Sequence, residues 1–182
     1  MKRMAVLPGI LALGALALAG CGGGGGGGNG GGPGGVRPGT LQATGSGVDN
    51  LSANVTGASA DARTVRLYGD QRTGPVNAYT ASRRLSVVLY RPVQPGTYPV
   101  ATSGASGTSS ATYTVTRLTN GKYVTDGTWQ ATDGSVTVTK VDNSHVEGGF
   151  TLTMRNAANG NVLTFQNGAF NVSYETPPPP TG

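Results

Sequence analysis

Charge is scarce in this chain, and cysteine and histidine are scarcer. Of 182 residues 12% are charged, one is Cys and one is His. A single cysteine excludes an internal disulfide and a CxxC metal site. It stands at position 21, ahead of any segment able to fold, so the folded part has no thiol nucleophile. A single histidine excludes a three-histidine zinc site. Long helix-forming runs of Leu, Glu, Lys and Ala are missing after residue 20. No apolar run reaches the roughly 20 residues that a membrane helix needs; the longest, Ala5 to Ala19, is broken by Pro8, Gly9 and Gly14.

What is present is Thr, Ser, Val, Gly and Asn, the profile of a turn-rich all-β domain. The chain divides into four parts. Residues 1–20 have a basic start, Lys2 and Arg3, and an apolar stretch too short to span, which reads as a signal peptide. Residues 21–39 are a cysteine followed by nearly continuous glycine. Residues 40–175 are one β domain of ordinary size. Residues 176–182 are a proline-rich tail of polyproline II character, Pro177 to Pro180, read as solvated.

Leu18-Ala19-Gly20-Cys21 resembles the bacterial lipobox. That resemblance implies a diacylglyceryl group on the Cys21 thiol, cleavage before Cys21 and fatty acylation, palmitate included, of the new amino terminus. Several acyl chains, at about 0.8 kcal/mol per buried methylene, make a stable anchor. Gly22 stands where an Asp would signal inner-membrane retention, so the expected location is the cell envelope at the outer membrane. Glycine at this density forms a flexible coil, and residues 22–39 reach roughly 25 Å. No strand precedes this glycine run and no GK[ST] follows it, so it is not a phosphate loop. Without Lys2 and Arg3 the chain carries 11 basic and 8 acidic residues, a weak excess that argues against nucleic acid as a partner.

Within 40–175 apolar residues alternate with polar ones between turn dipeptides. Strands are expected at Thr64–Gly69, Leu85–Arg91, Thr97–Val100, Ala111–Leu118, Lys122–Ala131, Ser135–Val141, His145–Arg155 and Asn161–Tyr174. Pro99 places its strand at an edge. Asn120-Gly121 predicts a type I′ hairpin, Asp126-Gly127 a bulge and Asp133-Gly134 a turn. Asn167-Gly168 must be a bulge or a tight hairpin, because the apolar parity changes across it; a bulge is the preferred reading. The fold class is all-β: an antiparallel meander forming a β-sandwich, with a curved, partly closed barrel as the alternative.

Several short motifs stand in the second half: Pro95-Gly96-Thr97-Tyr98, Gly134-Ser135-Val136-Thr137-Val138-Thr139, Gly148-Gly149-Phe150-Thr151-Leu152 and Asn167-Gly168-Ala169-Phe170-Asn171-Val172. Together they resemble a group of small bacterial lipoproteins of unknown function, with PGTY, G-x-V-T-I-T, G-T-F-x-F and N-G-x-F-x-V strands. The resemblance spans about 80 residues. Gly149 and Leu152 depart from it, where the group has Thr and Phe. It implies an all-β lipoprotein and offers no activity.

No catalytic constellation is legible. His145 lies near Asp142 and Glu147, but there is no G-x-S-x-G elbow, and it reads as an exposed turn residue. Asp126, Asp133, Asp142 and Glu147 lack the spacing of a calcium loop and read as turn chemistry. No metal ligand set and no cofactor are expected. Trp129 is expected in the core rather than on a sugar-stacking platform. Asn50, Asn54 and Asn171 match N-glycosylation acceptors by chance.

The one concentration with a possible partner is basic. Arg63, Arg66, Arg72, Arg83, Arg84 and Arg91 fall on neighbouring strands with only Asp61 and Asp70 opposing them. If they share a face, it suits anionic lipid headgroups or glycans. The expectation is a non-enzymatic envelope lipoprotein, held to the membrane by its lipid, with a binding or structural β domain. A glycan- or anionic-lipid-binding module is the alternative, and a hydrolase comes third. Oligomeric state is not legible.

Overall fold

A computed structural model describes residues 36–61, 63–90, 93–102 and 108–175. These hold ten strands: β1 Thr40–Ser46, β2 Leu51–Ser52, β3 Val55–Ala60, β4 Thr64–Thr73, β5 Ala81–Tyr90, β6 Gly96–Pro99, β7 Ser110–Thr119, β8 Lys122–Val141, β9 His145–Asn156 and β10 Val162–Ser173. No helix occurs among the described residues.

All ten strands belong to one sheet, in the order β2-β1-β10-β9-β8-β7-β5-β4-β3, with β6 attached to β8. The pairs between named strands are all antiparallel. The all-β antiparallel meander expected from the sequence is what forms, and it takes the alternative form, one curled sheet of the barrel kind, rather than two packed sheets. Its two margins, β2 and β3, are successive pieces of one stretch of chain. The Ala53 amide donates to the Leu41 carbonyl of β1 at 2.9 Å, and the Asn54 amide to the Asp70 carbonyl of β4 at 3.2 Å. The segment thus changes partners between neighbouring residues and draws the two margins together. Glu175, past β10, donates its amide to Ala58 of β3 at 2.9 Å. An eight-position curl of this kind has an interior that side chains can fill.

They do fill it. Val65, Leu67, Leu85, Val87, Leu89, Tyr113, Val136, Val138, Leu152, Met154, Phe165 and Phe170 alternate inward along their strands and are buried. Each large apolar side chain withdrawn from water contributes about 1.5–3 kcal/mol. Two inward glycines serve the aromatics. Phe150 of β9 pairs with Gly168 of β10, and Phe170 with Gly148. A Cβ on Gly168 would stand 2.5 Å from the Phe150 ring, and one on Gly148 2.8 Å from that of Phe170. Each ring lies over the other strand's glycine, and the two rings stack at 6.5 Å. The G-G-F and N-G-A-F motifs are therefore two halves of one packing unit.

The local signals are met at most points. Asn120 and Gly121 both have positive φ, 52° and 73°, as a type I′ turn requires. The β7–β8 register shifts at Asp126, and the β9–β10 register between Phe165 and Gly168. The bulge reading at Asn167-Gly168 is correct, and Asn167 sits at φ 50°. Pro99 lies on β6, whose only strand partner is β8. Asp133-Gly134 departs from expectation. The chain does not turn there but continues as one 20-residue strand, β8, with a register shift between Ala131 and Asp133. The first half of β8 pairs with β7 and the second with β6, so the residues that looked like a turn mark a bend in a strand serving two neighbours.

The curl has two distinct ends. At one, the Val36 amide donates to the Glu147 carboxylate at 3.2 Å, and its carbonyl accepts from Asn171 Nδ2 at 2.7 Å. The Tyr174 amide donates to the Ser144 carbonyl at this same end. The β1–β2, β4–β5, β7–β8 and β9–β10 turns form the opposite end, the mouth.

Candidate functional site

Strand parity decides where the arginines go. On β4 and β5 the outward set is Arg66, Tyr68, Arg72 and Arg84, Ser86, Val88. Arg66 and Arg84, with Ser86, Ser110, Thr112 and Thr114, line an open groove of about 490 Å³ across β4, β5 and β7. The Arg84 guanidinium lies 4.5 Å over the Tyr68 ring. Tyr68 Oη donates to the Glu175 carboxylate. Burial, then that carboxylate, push the Tyr68 phenol up from its ordinary value, so it stays a neutral donor. The groove therefore presents two guanidinium groups and four hydroxyls, a set suited to phosphate or carboxylate oxygens.

The other arginines have different settings. Arg72 is used within the fold: Nε donates to Asp70 at 2.8 Å, Nη1 to the Val76 carbonyl at 2.9 Å, and the group lies 4.9 Å over Tyr79. Arg63 follows the turn at Asp61, whose carboxylate accepts from the Arg63 and Thr64 amides and is held below its ordinary pKa by those bonds. Arg83 has the inward parity of Leu85 and reaches the mouth. Arg91 lies outside the described residues, as do Leu18, Ala19, Gly20 and Cys21.

At the mouth, Arg83 Nη2 donates to Asp49 Oδ2 of the β1–β2 turn at 2.6 Å. Arg117 Nε pairs with Asp126 at 3.0 Å nearby. Below them, Tyr113 is fully buried between Trp129 (5.8 Å) and Phe165 (5.1 Å), and its hydroxyl has no hydrogen-bond partner. Burial raises the Tyr113 phenol above its ordinary value; the Arg83 charge opposes the rise and the Asp49 charge adds to it. Sequence reading did not single out Asp49 or Tyr113 as site residues. The register places Tyr113 opposite Leu85 and Arg83 opposite Val115, making Arg83 and Tyr113 diagonal neighbours on one face.

The acids and the histidine are dispersed. Asp126 is at the mouth, and Glu147 holds Val36 at the opposite end. Asp142, Ser144 and His145 do meet: Ser144 Oγ lies 2.6 Å from Asp142 Oδ1, and His145 Nδ1 lies 2.9 Å from Ser144 Oγ and 3.0 Å from Asp142. A catalytic triad uses both ring nitrogens, one toward the hydroxyl and one toward the carboxylate. Here both partners crowd the same nitrogen. Asp142 also accepts the Ser144 and His145 amides, so the cluster is a turn cap, and His145 is half-buried rather than exposed. The Ser144 bonds hold the Asp142 carboxyl well below its ordinary value. Among the described residues no three His, Cys, Asp or Glu side chains gather as a metal site would require. Trp129 is half-buried against the core, Tyr90 and Tyr123 are exposed, and Tyr123 contacts the half-buried Tyr79 at 4.7 Å.

The described residues thus form a single curled antiparallel sheet with a packed interior, a basic outer groove and a polar mouth. The sequence profile described as "Domain of unknown function (DUF6252)" matches residues 53–172. The match covers about two thirds of the chain, which belongs to that family. It starts in the segment that joins the sheet margins and ends within β10. Neither a curated protein nor a solved structure matches.

Proposed function

We propose that this chain is a lipid-anchored envelope protein whose β domain is a non-enzymatic module for anionic lipid headgroups. The observation that carries the binding assignment is the groove in which Arg66 and Arg84 stand among Ser86, Ser110, Thr112 and Thr114. The anchor assignment rests on Leu18-Ala19-Gly20-Cys21 and the basic and apolar segments before it. The two parts support each other. Arg66 and Ser110 lie toward the end of the domain where Val36 is clamped, so a lipid on Cys21 would keep the groove near the headgroups. Each arginine near an anionic surface contributes about 1 kcal/mol, and a covalent anchor makes such weak attraction sufficient to orient the domain.

The test takes the native protein and a Cys21→Ala variant through intact-mass measurement and detergent partitioning. The expected native form begins at Cys21, carries acyl mass and enters the detergent phase, while the variant does neither. Flotation of the unanchored variant with vesicles containing anionic phospholipid then tests the groove. Loss of flotation in zwitterionic vesicles supports the reading. Equal flotation in both, or binding only to an envelope glycan, removes it.

A further inference from the structure

The mouth holds a polar arrangement that the outer groove does not use. Beside Arg83 is a cleft of about 280 Å³, bordered by Gln71, Thr73, Ser82, Thr116, Arg117 and Asp126. Its walls offer hydroxyls and an amide. Asp126 answers the charge of Arg117. Arg83 is answered by Asp49, a carboxylate 73% exposed on a surface turn. An ion pair so exposed to water holds weakly. Beneath, the Tyr113 hydroxyl is wholly buried and unpartnered, and buried polar groups in folded proteins are paired as a rule. Tyr113 is Arg83's diagonal neighbour across β5 and β7. Asp49 thus shows that Arg83 presents itself to a carboxylate, with Tyr113 as the buried floor beneath it.

We propose that this mouth is a second binding site, for a small hydroxylated carboxylate of the sugar-acid class. Arg83 receives the carboxylate, the hydroxyl-lined cleft receives the ring, and Asp49 occupies Arg83 until the ligand displaces it. The cleft takes one residue of a glycan, not a chain of them. Binding here is independent of the outer groove, since Arg83 and Arg84 face opposite sides of β5.

Titrate the full-length chain in detergent with glucuronate, reading the fluorescence of Trp129, the single tryptophan, which lies against Tyr113. Confirm the affinities by calorimetry. The native chain is expected to bind saturably and Asp49→Asn several-fold more tightly, because the internal competitor is gone. Arg83→Gln is expected to lose at least about tenfold, the range of a hydrogen bond to a charged group. Arg83→Gln is also expected to keep its melting temperature, which separates lost recognition from lost fold. Arg84→Gln is expected to bind as the native chain does. No saturable response in either the native chain or Asp49→Asn overturns the site. Equal binding of glucose or inorganic phosphate overturns the ligand class, and a response abolished by Arg84→Gln but not Arg83→Gln overturns the location.

Discussion

Phe150 covers Gly168 across the β9–β10 pair, and the space its ring occupies is the space a Cβ on Gly168 would need. Phe170 and Gly148 repeat the arrangement two positions along each strand, so four residues form one reciprocal unit. Glycine weakens a strand by leaving nothing to pack, and an aromatic from the neighbouring strand restores the contact.

Gly168→Ala is therefore expected to destabilise the domain by about 1–3 kcal/mol, the range for overpacking. A fall in the urea midpoint at constant m-value is the readout. An unchanged midpoint would mean that the ring moves aside freely and that the unit is not a packing constraint.

The bulge beside it gives a second prediction. Asn167 has φ 50°, a left-handed conformation that asparagine tolerates and β-branched residues resist. Asn167→Gly is expected to lie within about 0.5 kcal/mol of native stability, while Asn167→Val costs about 1–2 kcal/mol. Chemical denaturation of the two variants checks the ordering; a Val variant as stable as the Gly variant would contradict it.

Acid should act through the capped turns. Asp142 and Asp61 have carboxyl pKa values lowered in the folded state by hydrogen bonds from their own turns. A lowered folded pKa means that the unfolded chain binds protons first as pH falls. The stabilisation is then complete above the ordinary carboxylate range, near pH 4, and is lost progressively below it. Asp142→Asn keeps an acceptor for the Ser144 and His145 amides but cannot titrate. Its stability is expected to fall less steeply than native between about pH 4 and pH 2. Parallel slopes would show that the cap is not what acid breaks.

The outer groove predicts a salt signature. Arg66→Gln with Arg84→Gln is expected to lower partitioning onto anionic vesicles by roughly thirtyfold, from about 1 kcal/mol per arginine. Native binding itself should collapse as the Debye length shrinks from about 10 Å at 0.1 M salt to about 3 Å at 1 M. Binding indifferent to salt would rule out headgroup charge as the attraction.

Much of this molecule could be read before its coordinates. Alternation placed Leu85, Val87 and Leu89, and Phe150, Leu152 and Met154, on inward faces, because a period of two leaves no other way to bury them. The Asn167-Gly168 bulge followed from a parity change that demands one. The first three strands escaped because Thr40–Ser46 and Val55–Ala60 are mostly Thr, Ser, Ala and Gly, with Leu41 and Val55 their one large apolar residue each, so that alternation gives no signal. Asp133-Gly134 misled because the same dipeptide serves a turn or a bent strand, and only the partners decide. The arginines were found as a group, but adjacent residues face opposite ways on a strand, so Arg83 and Arg84 part company. Asp49 meets Arg83 across 34 positions of sequence, a contact no local pattern records.

Val36 and Glu175 lie on the same side of the curl, with the mouth opposite. A pull on Val36, resisted by something gripped at the mouth, therefore runs lengthwise along β1. Its ladder with β10, from Thr40↔Asn171 to Ser46↔Thr164, takes that load in shear, every rung at once, rather than opening one rung after another. Loaded in that way, the domain is a mechanical link, firm when tugged between its two ends.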